Sequence, residues 1–199
     1  MTKDEIVEHN RLFDEASNII SKEIKLNERP NLKAPGWLLR RKLNHALKLF
    51  ERVLQLNPEN WAAMLFMGKV HNRLKNRSAS LEWLERAYQA NPSNRAIALE
   101  ASTAAMELGR NDDAIAYAFR ASQISPQDPA LVGHLALAYL LAGRIDQAQT
   151  YITKSLATDP NDPISQTVAA MIRHFATNGG TPPNALLALE TYWNKATSR

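Results

Sequence analysis

The residues able to do chemistry in this 199-residue chain are scattered rather than assembled. Its five histidines, His9, His45, His71, His134 and His174, form no H-x-x-x-H pair of the kind that holds zinc from one helix face. Cysteine is absent, which removes disulfides, thiol nucleophiles and thiolate metal sites. The one glycine pair, in Asn178-Gly179-Gly180, lacks the lysine and hydroxyl spacing of a phosphate-cradling loop and reads as a turn. Serine and aspartate are frequent, but no spacing joins a nucleophile to a base. Asn76-Arg77-Ser78 fits a glycosylation acceptor only formally. The expectation is a protein that is not an enzyme, with no metal and no cofactor.

Charge offers more. The stretch GKVHNRLKNR (68–77) is strongly basic, and residues 61–95 carry six Lys and Arg against Glu82 and Glu85. Residues 101–128 reverse that balance, with Glu107, Asp112, Asp113 and Asp128 against Arg110 and Arg120. The basic stretch could hold phosphates or an acidic peptide, or could be a solvated helix end complementing the helix dipole. No aromatic residues are interleaved with its charges, which disfavours nucleic acid. No apolar run is long enough to span a bilayer, and the start MTKDEIVEHNRLFDE has no apolar leader core. The expectation is a cytoplasmic protein with no membrane contact.

What must position these residues is a repeat. Pro58, Pro92, Pro126 and Pro160 stand 34 residues apart, and other columns keep the same period. Three columns are small: Gly68, Ser102, Ala136 and Ala170; Ala46, Ser80, Ala114 and Ala148; Val53, Ala87, Ala121 and Ser155. Small residues at fixed places let two helices approach closely. Gly109 and Gly143 break each unit into two helical patterns, because a helix end favours a residue that accepts positive φ. Each proline follows Asn57, Asn91, Ser125 or Asp159, ends the second helix, and turns the chain into the next unit. The columns predict helices over 61–75, 78–91, 95–108, 111–125, 129–142 and 145–158, with no sheet.

These columns resemble the tetratricopeptide (TPR) repeat. The resemblance implies an all-α, right-handed superhelix of helix–turn–helix repeats with N- and C-terminal capping helices. It divides one continuous solenoid domain into an N-terminal helix (1–26), a partial first repeat with a long helix (27–60), three full repeats (61–162), and a partial repeat with a closing helix (163–199). Pro30, Pro35 and Gly36 interrupt the first helix of the 27–60 unit, so 36–57 is expected to pack on the N-terminal helix through a longer connection. His71 and Ala105 depart from the aromatic slot that Tyr139 fills, and Lys75 stands in place of the turn glycine.

In this family the first helix of each unit lines a concave groove. The resemblance therefore implies groove positions at Leu65, Lys69, Asn72 and Arg73, then Leu99, Thr103 and Met106, then Leu137, Leu140 and Leu141, then Met171 and Phe175. Gly133 and His174 fall on the same rows. The wall runs from basic to apolar, which suits a partner peptide or helix that is amphipathic with an acidic portion. The expected function is a protein–protein interaction module, or adaptor. The alternative is a structural subunit that self-associates or is permanently docked in a larger assembly. Segment 129–142 is apolar almost all round and must be covered on every side. Its cover is either the closing helix, with Leu186, Leu189, Tyr192 and Trp193, or a partner, or a second copy. The lysine, asparagine and arginine of the family's carboxylate clamp are not matched, since Leu65, Lys69, Ala130 and His134 stand at those places.

Overall fold

The computed structural model describes residues 1–23 and 34–197. Ten α-helices and no strand are found among them. They are α1 (Lys3–Glu23), α2 (Trp37–Leu56), α3 (Trp61–Arg73), α4 (Arg77–Ala90), α5 (Arg95–Glu107), α6 (Asn111–Ile124), α7 (Pro129–Leu141), α8 (Ile145–Thr158), α9 (Pro163–Asn178) and α10 (Leu186–Thr197). The six helices expected from the period are present and in step, with ends shifted by at most two residues. Ile24, Pro30 and the end of the expected N-terminal helix at 24–26 lie outside the described residues.

The boundaries follow from capping chemistry. Asn60, Asn76, Asn94, Asp128 and Asp162 each accept a hydrogen bond from a first-turn amide, satisfying donors that a helix start leaves orphaned. Pro129 and Pro163 occupy the first turn, where a missing N–H is harmless. Asn57, Asn91, Ser125 and Asp159 are the C-caps before the periodic prolines. Within each unit the turn closes by the same pair of bonds. Arg110 N–H donates to the Ala105 carbonyl (2.9 Å) and Gly109 N–H to that of Met106 (3.2 Å). Arg144 and Gly143 repeat the pattern onto Tyr139 and Leu140, and Asn76 and Lys75 onto His71 and Asn72. That motif needs a left-handed residue, and the three have φ of 71° at Gly109, 72° at Gly143 and 67° at Lys75.

The chain forms two compact units, Met1–Pro92 and Ser93–Arg199. In the first, α1 packs along α2 as α3 packs along α4. Its core joins Leu12, Ala16, Leu43, Phe50 and Val53 to Ala63, Met67 and Val70. Phe13 meets Phe50 edge-on at 5.8 Å between centroids, and Phe66 stacks on Phe50 at the same distance. Asn60 both caps α3 and reaches His9 of α1 at 2.9 Å, tying the start of α3 to α1. In the second unit α5–α6 and α7–α8 are paired hairpins, and α9 packs on α7 and α8.

The small columns sit where helices meet. Ala46, Ser80, Ala114 and Ala148 are fully buried, as are Ser102 and Ala136. A Cβ on Gly68 would come within 2.6 Å of Leu84 Cγ, so no larger residue fits there without displacing α4. Ser102 Oγ donates to the Ala114 carbonyl (2.8 Å), turning a close approach of α5 and α6 into a bond.

Candidate functional site

On α3 of the first unit, Leu65, Lys69, Asn72 and Arg73 succeed one another at helical spacing, and all four are half-buried. Lys69 and Arg73 are four residues apart, so both cations project from one stripe of the helix. The geometry is that of a mixed apolar and basic wall. Lys75 and Arg77, the other cations of the basic stretch, lie apart from it, at the turn and at the first residue of α4.

In the second unit the inner helices are α5, α7 and α9, with α7 packed between the other two. The segment after α9 turns through Gly179 and Gly180, both at positive φ, and continues through Pro182 and Pro183. It brings the Asn184 carbonyl within 3.2 Å of where a Cβ would stand on Gly109, at the end of α5. From there α10 packs on α5. Its far end meets α9: Tyr192 stacks on Phe175 at 5.3 Å, and Trp193 meets His174 edge-on at 5.8 Å. Asn178 Nδ2 points at His174 Nδ1 (3.1 Å), which leaves Nε2–H to donate to Tyr192 Oη (2.9 Å). α10 is thus held against α5 near its start and against α9 through Tyr192 and Trp193. Leu189, in its middle, is 0% exposed.

The closing helix, one of the covers expected from the sequence, lies against part of the apolar wall, at Phe175. Met106, Leu140, Leu141, Met171 and Phe175 are buried, with Leu140 at 0% exposure. The physical reason is proximity. The wall is too apolar to leave in water, and the closing helix is tethered to α9 by a short connection, so it reaches the wall at high effective concentration. Leu99, Thr103 and Leu137 keep partial exposure on α5 and α7. Gly133, placed on the wall by the repeat frame, instead lies under α9, where a Cβ would come within 2.6 Å of Ser165 Oγ. Ser155 Oγ donates to the Pro129 carbonyl and pairs with Ser165 Oγ, each at 2.7 Å, so a buried hydroxyl chain joins α7, α8 and α9.

His134 is equally structural. Because the Ser102 hydroxyl hydrogen goes to Ala114, His134 Nε2–H must donate to Ser102 Oγ at 3.2 Å. Burial pushes its pKa down to about 4, so the ring is neutral near neutral pH. Among the described residues no group of three or more His, Asp or Glu could hold a metal ion.

A sequence-family model described as tetratricopeptide repeat matches residues 38–102 and 105–172. The chain belongs to the tetratricopeptide repeat family. A comparison with curated proteins finds no match. Among solved structures this tetratricopeptide chain is similar to MamA, with a TM-score of 0.69 at 15% identity, covering 96% of this chain and 88% of that one. It is similar to YrrB, with a TM-score of 0.67 at 17% identity over 94% and 91%. It is also similar to pilF of Pseudomonas aeruginosa, with a TM-score of 0.63 at 16% identity over 98% and 78%. At such identities the likeness is one of fold. The repeats make this tetratricopeptide chain an interaction scaffold.

The sequence named Leu186, Leu189, Tyr192 and Trp193 as a closing helix but carried no signal for where that helix lies. The contact of Asn184 with Gly109 joins residues 75 apart through shape alone.

Proposed function

We propose that this protein is a non-enzymatic adaptor that holds an amphipathic partner peptide or helix with an acidic portion on its inner face. The observation that carries the reading is the α3 row, in which Leu65 offers apolar area while Lys69, Asn72 and Arg73 offer charge and hydrogen bonds along one stripe. Leu99, Thr103 and Leu137 are the inner residues of the second unit that keep exposure, and belong to the same class of position. YrrB is described as a TPR protein with an unusual peptide-binding site, which supports peptide binding as a use of this fold. No described helix is long and apolar enough to cross a membrane, which fits a cytoplasmic setting.

Apolar burial supplies most of the affinity of such a complex, and the cations set orientation and on-rate. The test is fluorescence anisotropy with labelled helical peptides that carry one leucine-rich and one glutamate-rich half. Binding is expected at low salt, weakening as salt rises. Arg73→Glu should reduce it about tenfold and remove most of the salt dependence. Peptides that bind the native chain and Arg73→Glu equally would overturn the assignment of this row.

The second reading, a self-associating or permanently docked subunit, is favoured by the first turn of α2. Trp37 is 71% exposed and Leu38 59%, an apolar pair that solvent alone rarely faces. Size measured across a dilution series separates the two, since an obligate oligomer stays large until its subunits dissociate.

A further inference from the structure

We propose that α10 is a displaceable strap, and that the face it covers is a receptor for a partner helix carrying the same apolar pattern. The inference rests on the reading of the inner face as a binding surface, and it names the partner and the regulation of the second unit's share of that face.

The native occupant, α10, is the template for the partner. Leu186, Leu189, Tyr192 and Trp193 recur at i, i+3, i+6 and i+7, one face of a helix. Of these only Leu189 is fully buried, and Tyr192 is 41% exposed even though it makes the stacking contact with Phe175. The attachment is therefore a central leucine and an aromatic latch, with Pro182 buried before the helix and Asn184 against Gly109. By contrast, Phe175 beneath Tyr192 is itself buried, as are Met106 at the end of α5, Leu140 and Leu141 on α7 and Met171 on α9. The connection suits release. Gly179 and Gly180 are already at positive φ with open space around their Cα atoms, and no hydrogen bond ties residues 179–183 to the repeats among those described.

A partner that fits is thus an amphipathic helix with leucines one turn apart, followed by an aromatic pair whose hydroxyl can accept from His174 Nε2. Tethering protects the groove from weak or dilute competitors, because a short linker gives the strap an effective concentration of about millimolar. A free helix succeeds only when its own affinity exceeds that threshold.

The experiment uses the full chain and a fluorescein-labelled peptide of residues 184–197 as the probe, with binding read by anisotropy. Leu189→Asp should release the strap by placing a carboxylate at its buried position. The expected result is at least tenfold tighter peptide binding to Leu189→Asp than to the native chain. A peptide of the same composition in scrambled order should not bind. Tyr192→Ala, which removes the latch without burying a charge, should give a smaller gain in the same direction, and it decides the matter should Leu189→Asp fail to fold. Equal binding to native and folded variant chains overturns the proposal, as does unfolding of both variants, which would make α10 part of the core. A native chain that dimerises with rising concentration through exchange of α10 also overturns it, making a second copy the occupant. None of these outcomes bears on the α3 row, whose test uses Arg73.

Discussion

Lys75 shows what a repeat does with an imperfect residue. The turn between α3 and α4 makes the same two backbone bonds as those at Gly109 and Gly143, so it demands the same left-handed conformation. Lys75 is the only non-glycine residue with positive φ among those described, and a Cβ there costs about 1–2 kcal/mol. Lys75→Gly should therefore stabilise the protein by about 0.5 kcal/mol, after the larger unfolded-state entropy of glycine is subtracted. Lys75→Ala, which keeps the Cβ, should give no such gain. Thermal melts of the two variants side by side check the contrast.

His134 belongs to the same scale. Although its edge keeps some accessible surface, packing strips the ring of hydration and lowers its pKa from 6.5 to about 4. Between those values the unfolded chain binds a proton that the folded chain does not. This contribution to stability is thus complete above pH 6.5 and is lost as pH falls towards 4. The loss is about 2 kcal/mol by pH 4.5. His71, also lowered by burial against the opposing pull of Glu51 and Glu82, acts in the same direction. Melting temperature measured from pH 7 to 4.5 should fall less steeply in His134→Gln, whose amide can still donate to Ser102. An unchanged slope would mean that the ring charges without penalty.

At the scale of elements, the small columns set how closely helices pair. Ala114 and Ala148 are fully buried, and the Ala114 carbonyl receives the Ser102 hydroxyl. Ala114→Trp or Ala148→Trp should each destabilise by about 3 kcal/mol, because the added ring has no void to enter and must separate two helices. Melts like those of the native chain would mean that these sites lie elsewhere. Leu140 is an element-level correction. Read as an open groove residue it could take a charge and leave the fold intact, but at 0% exposure it cannot. Leu140→Glu should cost about 4 kcal/mol by burying a carboxylate without a partner, seen as a large drop in denaturation midpoint.

Arginine–carboxylate pairs between successive repeats complete that scale. Arg95 reaches Asp128 at 2.9 Å, and Arg144 reaches Asp112 at 2.6 Å. Both keep substantial solvent access and contribute little energy, though Asp128 is half-buried, and Asn111 Nδ2 adds a part-buried bond to the Leu141 carbonyl (2.9 Å) beside the second. Such contacts set the register of one helix pair on the next more than they hold it.

For the molecule as a whole, the sequence determined what is local and periodic. Proline spacing, the asparagine and aspartate caps, the turn glycines and the small columns are constraints within one unit, so a single chain of letters carries them. They were enough to fix the helix type, the boundaries of α3 to α8 and membership of the tetratricopeptide family. They also single out the α3 row proposed for partner binding, because a position's place in the repeat says which way it is expected to face. Tertiary structure alone decided where the closing helix lies, against α5 and against Phe175 of α9. The candidates had equal chemistry, since the closing helix, a partner helix or a second copy could each bury Leu140. The choice depended on whether a short connection could bring Asn184 to Gly109 and Tyr192 onto Phe175. That is a matter of reach and closure in three dimensions, and no period in the sequence encodes it.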